Sequence, residues 1–351
     1  MSEAPRTSLY QHEIEQQPEA VRGFLDSQTA AASRISSTLQ RSQPDWVLIA
    51  ARGSSDNAAR YGQYVLGIRN RLPVALAAPS LFTIYGSPPR LDGAFVIGIS
   101  QSGESPDVIA VLSEAHRQRR PTLAITNHAE SPLAAAADDV LPFGIGEERA
   151  VAASKTYTTS LAALALLSVC LSGDSHGLEE LHAVPAAMSQ ALTDSLARRD
   201  TMRILSPGVP WLVVSRGMNY GTGFETALKL KEVAGISVES YSSADFLHGP
   251  IAAVGPGSIA VLIAPDGPAF EGVTALVPAL KERGVVIAAV SDRDDLLAQA
   301  DCGFPLPIGV PEWLSPLTAI LPGQVLALDL ALGRGFDPDA PLGLRKITRT
   351  L

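Results

Sequence analysis

The sequence is poor in cysteine and in aromatic residues. Its 351 residues include two cysteines, Cys170 and Cys302, and neither belongs to a CxxC pair or to a Cys/His cluster. This pattern argues against a disulfide framework and predicts two buried, inert thiols, as expected in a reducing cytosol. Aromatic residues make up 5% of the chain, so Ala, Val, Leu and Ile must fill its cores.

Long apolar runs are also lacking. The longest one, "LAALALLSVCL" (161–171), is too short to span a bilayer, which needs about 20 residues, so it predicts a buried helix. The N-terminus is polar and has no apolar signal core. The formal charge of −9 disfavours nucleic acids and anionic membranes as partners. We therefore expect a cytoplasmic protein that binds neither.

The two halves of the chain repeat one pattern. "WVLIAARGSSDNAARYGQYVL" (46–66) and "WLVVSRGMNYGTGFETALKLK" (211–231) each begin with Trp, continue through a β-branched run, turn at Arg-Gly and open a helical pattern. Residues 94–127 and 258–292 then each predict a strand, a turn, a helix and a strand. Such self-similarity indicates a duplicated fold.

Continuous apolar runs such as "FVIGI" (95–99) and "TLAIT" (122–126) are typical of parallel strands buried on both faces of a sheet. Amphipathic helical stretches separate these runs, so each half is expected to be a doubly wound, three-layer α/β domain. The predicted organisation is a helical arm (1–30), a first domain (31–175), a linker helix with a second domain (176–335), and a tail (336–351).

The stretch "SQSGES" (100–105) lies where a buried strand should pass into a helix. In doubly wound sheets, ligands bind beyond the carboxyl ends of the strands. A helix N-terminus there binds anions through its free N–H groups, without basic side chains. Ser100, Ser102 and Ser105 can add hydroxyl donors, and Gly103 lets the backbone approach a ligand closely. The stretch predicts a phosphate site, the alternative being an ordinary Ser cap, and it is not a Walker motif.

The stretch "ETALKLKE" (225–232) predicts a helix. Glu225, Lys229 and Glu232 are spaced i, i+4 and i+7, so they share one face of this helix. In isolation, the pattern is typical of a solvated surface stabilised by ion pairs.

Six motifs in a fixed order resemble the isomerase half of glucosamine-6-phosphate synthase, which consists of two tandem sugar-isomerase (SIS) domains. They are "RGSS", "SQSGES", "AVAASKTYTTS", "ETALKLKE", "FLHGP" and "LRKITRT", and the resemblance runs from residue 12 to the last residue. The glutamine-hydrolysing domain of that synthase has no counterpart in the sequence. The resemblance implies two tandem doubly wound parallel-sheet SIS domains, with a C-terminal tail over the active site, and it implies neither a metal nor an organic cofactor.

The resemblance also assigns roles to single residues. It implies that Glu232 is the general base that moves a proton between C1 and C2 of the sugar. His248 would open the sugar ring from the neighbouring subunit of a homodimer, unless it merely caps a turn. Lys346 would form a Schiff base with the C2 carbonyl, although a lysine so near a terminus is usually solvated. Lys155 is expected to be structural. The residues implied to bind a hexose 6-phosphate or amino-sugar 6-phosphate are Gly53, Ser54, Ser55, Ser100, Gln101, Ser102, Ser105, Val151, Ala152 and Lys229.

Without a glutaminase, the resemblance implies an isomerising deaminase that converts glucosamine 6-phosphate to fructose 6-phosphate and ammonia. "LRKITRTL" and "SSADFLHGP" differ from the corresponding synthase motifs and resemble the stand-alone deaminase-like branch, which leaves gluco, galacto and fructosamine substrates open. One alternative is an isomerase subunit that receives ammonia from a separate glutaminase. Others are a deglycase for fructosamine 6-phosphates and a non-catalytic sugar-phosphate sensor.

Overall fold

A computed structural model describes residues 7–344 and 346. These residues form two compact units that do not follow the order of the chain. The first unit contains Glu19–Glu148, Lys155–Ala183 and Lys346, and the second contains 7–18, Arg149–Ser154 and Val184–Leu344. The predicted helical arm is therefore divided between the two units.

Each unit contains one five-stranded parallel sheet. The strands of the first unit are β1 (Trp46–Ala50), β2 (Val74–Leu76), β3 (Ala94–Ile99), β4 (Thr122–Thr126) and β5 (Asp139–Pro142). Those of the second unit are β6 (Trp211–Ser215), β7 (Val238–Ser242), β8 (Ile259–Ile263), β9 (Val286–Ser291) and β10 (Cys302–Pro305).

Helices occupy most of the remaining described chain. The α-helices are α1 (Leu9–Glu15), α2 (Gln17–Ser42), α3 (Ser54–Asn70), α4 (Ser80–Thr83), α5 (Pro106–Arg117), α6 (Pro132–Ala135), α7 (Lys155–Ser172), α8 (Ser175–Ala197), α9 (Tyr220–Glu232), α10 (Ser243–Leu247), α11 (Phe270–Thr274), α12 (Val277–Glu282), α13 (Asp294–Leu297) and α14 (Pro316–Gly333). Short 3₁₀ helices span Arg199–Ile204, Gly217–Asn219, Pro250–Ala253 and Glu312–Leu314.

The two sheets have the same strand order. It is β2-β1-β3-β4-β5 in the first unit and, read from the corresponding edge, β7-β6-β8-β9-β10 in the second. The registers also correspond: Trp46 of β1 lies beside Ala94 of β3, and Trp211 of β6 lies beside Ile259 of β8. The prediction of two tandem doubly wound domains is thereby confirmed.

The helices cover both faces of each sheet. On one face of the first sheet, Leu48 and Val96 belong to the same apolar cluster as Val108 and Leu112 of α5. On the other face, α3 packs against α7, and a Cβ atom added to Gly62 would lie 2.9 Å from Ile49 Cδ1. Burying each large aliphatic side chain contributes about 1.5–3 kcal/mol, so this three-layer packing is the main source of stability.

Two helices are apolar around their whole circumference. The run 161–171 lies in α7, whose residues Lys155 to Val169 are all buried, as predicted. Among the described residues, only α14 has the length and composition of a membrane-spanning helix, but 83% of its apolar window is buried inside the structure. α14 therefore has the character of a core helix.

The two cysteines are both free thiols, but they differ in exposure. Cys302 is buried, as predicted, whereas Cys170 is partly exposed because the burial of α7 ends at Val169. The prediction of burial is therefore correct for Cys302 and wrong for Cys170. Burial raises the pKa of both thiols, which favours their unreactive protonated form.

Candidate active site

The stretch 100–105 forms a compact loop between β3 and α5. Ser100 Oγ accepts the N–H of Gly103 at 3.2 Å and lies 3.2 Å from Ser105 Oγ. Ser102 Oγ accepts the N–H of Glu104, also at 3.2 Å. The serine hydroxyls thus stabilise the loop through hydrogen bonds within it. The 12-residue helix α5 begins directly after the loop. This is the arrangement that an anion site at a helix N-terminus requires.

Gly103 is necessary for the shape of this loop. Its φ angle of +66° lies in the left-handed region that side chains disfavour. A Cβ atom at this position would also lie 2.1 Å from Ser131 Oγ, which accepts the N–H of Ala134 and so caps α6. Any side chain at position 103 would therefore displace either the loop or this cap.

A second loop leaves the neighbouring strand. Gly53, Ser54 and Ser55 follow β1, and β1 is adjacent to β3, where the connections of the sheet turn to opposite sides. Open parallel sheets bind ligands at such a switch point, so the fold brings the two serine-containing loops to the position where a ligand is expected.

An arginine that the sequence reasoning did not select joins these loops. Arg52 Nε lies 2.5 Å from Oδ2 of Asp107, a buried residue in the first turn of α5. The side chain of Arg52 is half exposed, so the site is not built from hydroxyls and amides alone. No spacing in the sequence links position 52 to position 107; only the pairing of β1 with β3 does so.

Lys346 lies against a buried carboxylate within the first unit. Its Nζ is 3.0 Å from Oε2 of Glu148, whose side chain is fully buried. Thr156 holds the same carboxylate: its N–H donates to Oε1 at 3.0 Å and its Oγ1 donates to Oε2 at 2.7 Å. Lys346 is therefore not a solvated tail residue. Lys155 donates to the carbonyl of Glu147 at 2.8 Å, which agrees with its expected structural role.

Glu148 is the main site residue that the sequence reasoning missed. It stands in "GEERA", where a run of charged residues is typical of an exposed turn. The usable signal was its position two residues before the uncharged stretch "AVAAS" (150–154), because a charge near the edge of such a stretch becomes costly if it is buried without a partner.

In the second unit, Lys229 bridges the two carboxylates of its helix. Its Nζ lies 3.3 Å from Glu225 Oε1 and 2.5 Å from Glu232 Oε2. The side chains of Lys229 and Glu225 are fully buried, whereas that of Glu232 is 24% exposed. Burial alone would lower the pKa of Lys229, but the two carboxylates more than offset it, so the pKa is raised and the amine stays charged. A solvated helix face is thereby excluded.

The backbone before Val151 is held by a buried carboxylate from α1. Glu13, which is 3% exposed, accepts the N–H of Arg149 and, at 3.2 Å, the N–H of Ala150. The segment that contains Val151 and Ala152 therefore has a fixed backbone. Its predicted contact with a sugar stays a prediction.

His248 lies outside α9, the helix that carries the Lys229 cluster. It follows the last residue of α10, its N–H donates to the carbonyl of Asp245, and its side chain is exposed. An exposed imidazole on a tight turn is compatible with both of its predicted roles, a turn cap or a group presented to a partner subunit. The role across a homodimer interface stays a prediction.

The equivalent switch point of the second sheet is filled by a side chain. Glu312 accepts a backbone hydrogen bond from Ala269, and a Cβ atom added to Gly267 would lie 2.8 Å from Glu312 Cβ. A Cβ atom added to Gly217, after β6, would lie 3.6 Å from Glu312 Oε1. Burial raises the pKa of this carboxyl, although the hydrogen bond opposes the shift. The side chain of Glu312 thus occupies the crevice of the second sheet.

Comparison with known proteins gives concordant results. A family model described as the SIS domain matches residues 42–169 and 211–334. Glutamine–fructose-6-phosphate aminotransferase (isomerizing) from Pyrococcus horikoshii is 32% identical over 348 residues, which cover 96% of this chain and 57% of that protein. The chain thus spans little more than half the length of the curated relatives that it matches.

Solved structures share the complete fold. A crystal structure from Silicibacter pomeroyi, provisionally assigned as a phosphosugar isomerase, is 30% identical with a TM-score of 0.84, covering 95% of this chain and 100% of that one. Glucosamine-6-phosphate deaminase from Thermotoga maritima is 22% identical with a TM-score of 0.81, covering 98% of this chain and 100% of that one. The second likeness shows the fold alone.

Substitution of Gly103 by Ala is expected to damage the loop more than a matched substitution elsewhere. Gly144 has a similar φ of +65° but open space where a Cβ would lie, so Gly144→Ala measures the backbone strain alone, about 1–2 kcal/mol. Gly103→Ala should lower the free energy of unfolding by more and should weaken binding of inorganic phosphate. Urea unfolding and calorimetric titration measure both effects. Equal effects of the two variants would contradict the clash with Ser131.

Removal of Lys229 should strongly destabilise the second unit. Lys229→Met leaves the fully buried Glu225 carboxylate without its partner, which costs about 3–5 kcal/mol. Lys231→Met, at an exposed position of the same helix, should change stability by less than about 0.5 kcal/mol. Replacing Glu225 and Lys229 together with Met should recover much of the loss. Urea unfolding of the four proteins tests this, and similar midpoints for both single variants would refute it.

Proposed function

Because the chain belongs to the SIS-domain family, with two SIS domains in tandem, we propose that it catalyses aldose–ketose isomerisation of an amino-sugar 6-phosphate. The specific reaction that we propose is the deamination of glucosamine 6-phosphate: glucosamine 6-phosphate and water give fructose 6-phosphate and ammonia. Relatives that match most of the chain are named as isomerising aminotransferases of glutamine and fructose 6-phosphate, and fructose 6-phosphate is the sugar product of the proposed deamination.

The observation that carries this proposal is the contact between Lys346 and the buried Glu148. A sensor needs only the phosphate loop and has no use for an amine held 3.0 Å from a fully buried carboxylate. An imine-forming enzyme needs such an amine, because the lysine must be positioned and must transfer a proton before it can attack a carbonyl. Glu148 is a suitable acceptor for that proton.

The proposed chemistry assigns one step to each predicted group. The loop 100–105, with Gly53, Ser54 and Ser55, binds the phosphate and the adjacent part of the sugar. His248 opens the ring by proton transfer, a task suited to imidazole. Glu232 then moves the C2 proton to C1, which converts the amino aldose to the C2 iminium of the ketose. The amine of Lys346 adds to C2, the bond from C2 to the substrate nitrogen breaks and ammonia leaves, which gives an imine between C2 and Lys346. Water then hydrolyses this imine and releases fructose 6-phosphate and the free lysine.

A second candidate reaction runs in the opposite direction. The chain covers 57% of its Pyrococcus horikoshii relative, which is named as an aminotransferase. An isomerase subunit supplied with ammonia by a separate glutaminase would use the same groups to convert fructose 6-phosphate to glucosamine 6-phosphate. A deglycase acting on fructosamine 6-phosphates would also retain the Lys346 chemistry.

Ammonia release from a panel of 6-phosphates distinguishes these reactions. We expect rapid release from glucosamine 6-phosphate, and none from galactosamine or fructosyl-amine 6-phosphate. Glu232→Gln should lower kcat by about 10²–10⁴-fold, the usual contribution of a general base, and Lys346→Ala should abolish turnover. Lys281→Ala, at an exposed position of α12, is the control. Release only from another panel member would change the substrate, and binding without turnover of any member would refute the enzyme.

Substitution of Glu148 tests its link to Lys346. Glu148→Gln should lower kcat by about 10–100-fold, because a hydrogen bond to a charged group contributes about 1.5–3 kcal/mol. Glu147→Gln, at the adjacent exposed position, should have no effect.

Borohydride reduction during turnover should attach the sugar to one of the five lysines, and peptide mapping should identify it as Lys346. Full activity of Glu148→Gln, or an adduct on Lys155, Lys229, Lys231 or Lys281, would contradict this assignment.

A further inference from the structure

The second unit contains a cavity that none of the motifs above occupies. It has a volume of about 520 Å³, within the range of about 300–1,000 Å³ that is usual for small-molecule sites. The 3₁₀ helix Arg199–Ile204 and the C-terminal end of α14 border it. Its apolar surface comes from the buried residues Met202, Leu205 and Leu330.

Three arginines and two aspartates line this cavity. Arg199 pairs with Asp329 at 2.8 Å and Arg203 with Asp200 at 2.9 Å. Arg203 and Asp200 are both more than 80% exposed, so their ion pair is weak and Arg203 can exchange partners at little cost. Arg334 forms no ion pair with a carboxylate of the described residues. The lining thus has an excess positive charge in a chain whose formal charge is −9.

Arg334 connects the cavity to α9. Its Nη1 donates to the carbonyls of Ala234 at 2.6 Å and Gly235 at 3.3 Å, and its guanidinium lies 4.6 Å from the centre of the Phe336 ring. Ala234 and Gly235 form the turn that ends α9.

The turn at Gly235 contains the hydrogen bond of an αL C-cap motif, from the N–H of Gly235 to the carbonyl of Lys231. The N–H of Ile236 donates to Leu230, and Gly235 has a φ of +62°. The turn leaves the carbonyls of Ala234 and Gly235 free to accept from Arg334. The last turn of α9 carries Glu232, so the position of this carboxylate depends on the cap that Arg334 completes.

We propose that this cavity binds a small organic anion, with a phosphate or carboxylate head on the arginines and an apolar body on Met202, Leu205 and Leu330. Occupancy draws the Arg334 guanidinium from the carbonyls of Ala234 and Gly235 toward the anion. The end of α9 then loosens. The binding itself does not depend on the proposed deamination, whereas an effect on turnover through Glu232 rests on it.

Calorimetric titration with phenyl phosphate tests the binding. Saturating fructose 6-phosphate is present, so that the loop 100–105 does not contribute. We expect one site per chain, weakened about threefold to tenfold by Arg203→Gln and more than tenfold by Arg334→Gln, because both remove charge-assisted hydrogen bonds. Arg283→Gln, at an exposed position outside the cavity, should leave the affinity unchanged. Benzyl alcohol, which lacks the anionic head, should not bind.

Failure of phenyl phosphate to bind the wild-type chain would overturn the proposal, as would equal affinities in the wild type, Arg203→Gln and Arg334→Gln. Because the exposed Arg203 forms its ion pair with Asp200 of the same 3₁₀ helix, its variant keeps the test valid if Arg334→Gln fails to fold. Arginine-dependent binding in a protein that releases no ammonia would support the cavity and refute only the deaminase.

Amide hydrogen exchange tests the coupling to α9. Phenyl phosphate should accelerate exchange of the N–H groups of Gly235 and Ile236, which depend on the cap, and should leave those of β8 unchanged. Protection of both groups by phenyl phosphate would show that the anion stabilises the cap, and would overturn the proposed release of Arg334.

Discussion

The parallel arrangement of the strands is the constraint on which the site depends. All strands of a parallel sheet point the same way, so the loops at their carboxyl ends lie along one edge. In the first sheet, Gly53–Ser55 follow β1 and the loop 100–105 follows β3; in the second sheet, α9 follows β6. The apolar residues of each sheet thus determine which loops lie next to each other. The polar residues in those loops determine which ligand can bind there.

The core and the repeat were predictable because each rests on a periodic signal. Runs such as 95–99 and 122–126 contain no polar residue except Thr, and short continuous apolar runs bounded by turns are typical of buried parallel strands. The two Trp residues that begin β1 and β6 fix the alignment of the halves. The loop 100–105 could be identified for the same reason. The apolar run before it predicts a strand, and the sequence itself shows the serine hydroxyls that follow.

Buried carboxylates were not predictable in this way. Glu13, Glu148 and Glu225 are 3%, 2% and 0% exposed, yet each stands in a polar stretch that resembles a solvated surface. Their burial depends on partners distant in the sequence or on another element: backbone N–H groups for Glu13, Thr156 and Lys346 for Glu148, and the interior of the second unit for Glu225. The assignment of 7–18 to the second unit could not be predicted either, because the sequence of a short helix does not show which of two cores it packs against.

Glu312 makes the two copies of the fold differ in how their stability would depend on a bound metabolite. A ligand that binds only the folded state stabilises it in proportion to the logarithm of its concentration. A ligand bound in the crevice after β1 and β3 would stabilise the fold in this way. The crevice after β6 and β8 instead contains the Glu312 carboxylate, which is part of the chain and does not depend on a ligand concentration. A metabolite that binds after β1 and β3 would therefore stabilise the first unit, whereas the corresponding position of the second unit holds the Glu312 side chain at every metabolite concentration.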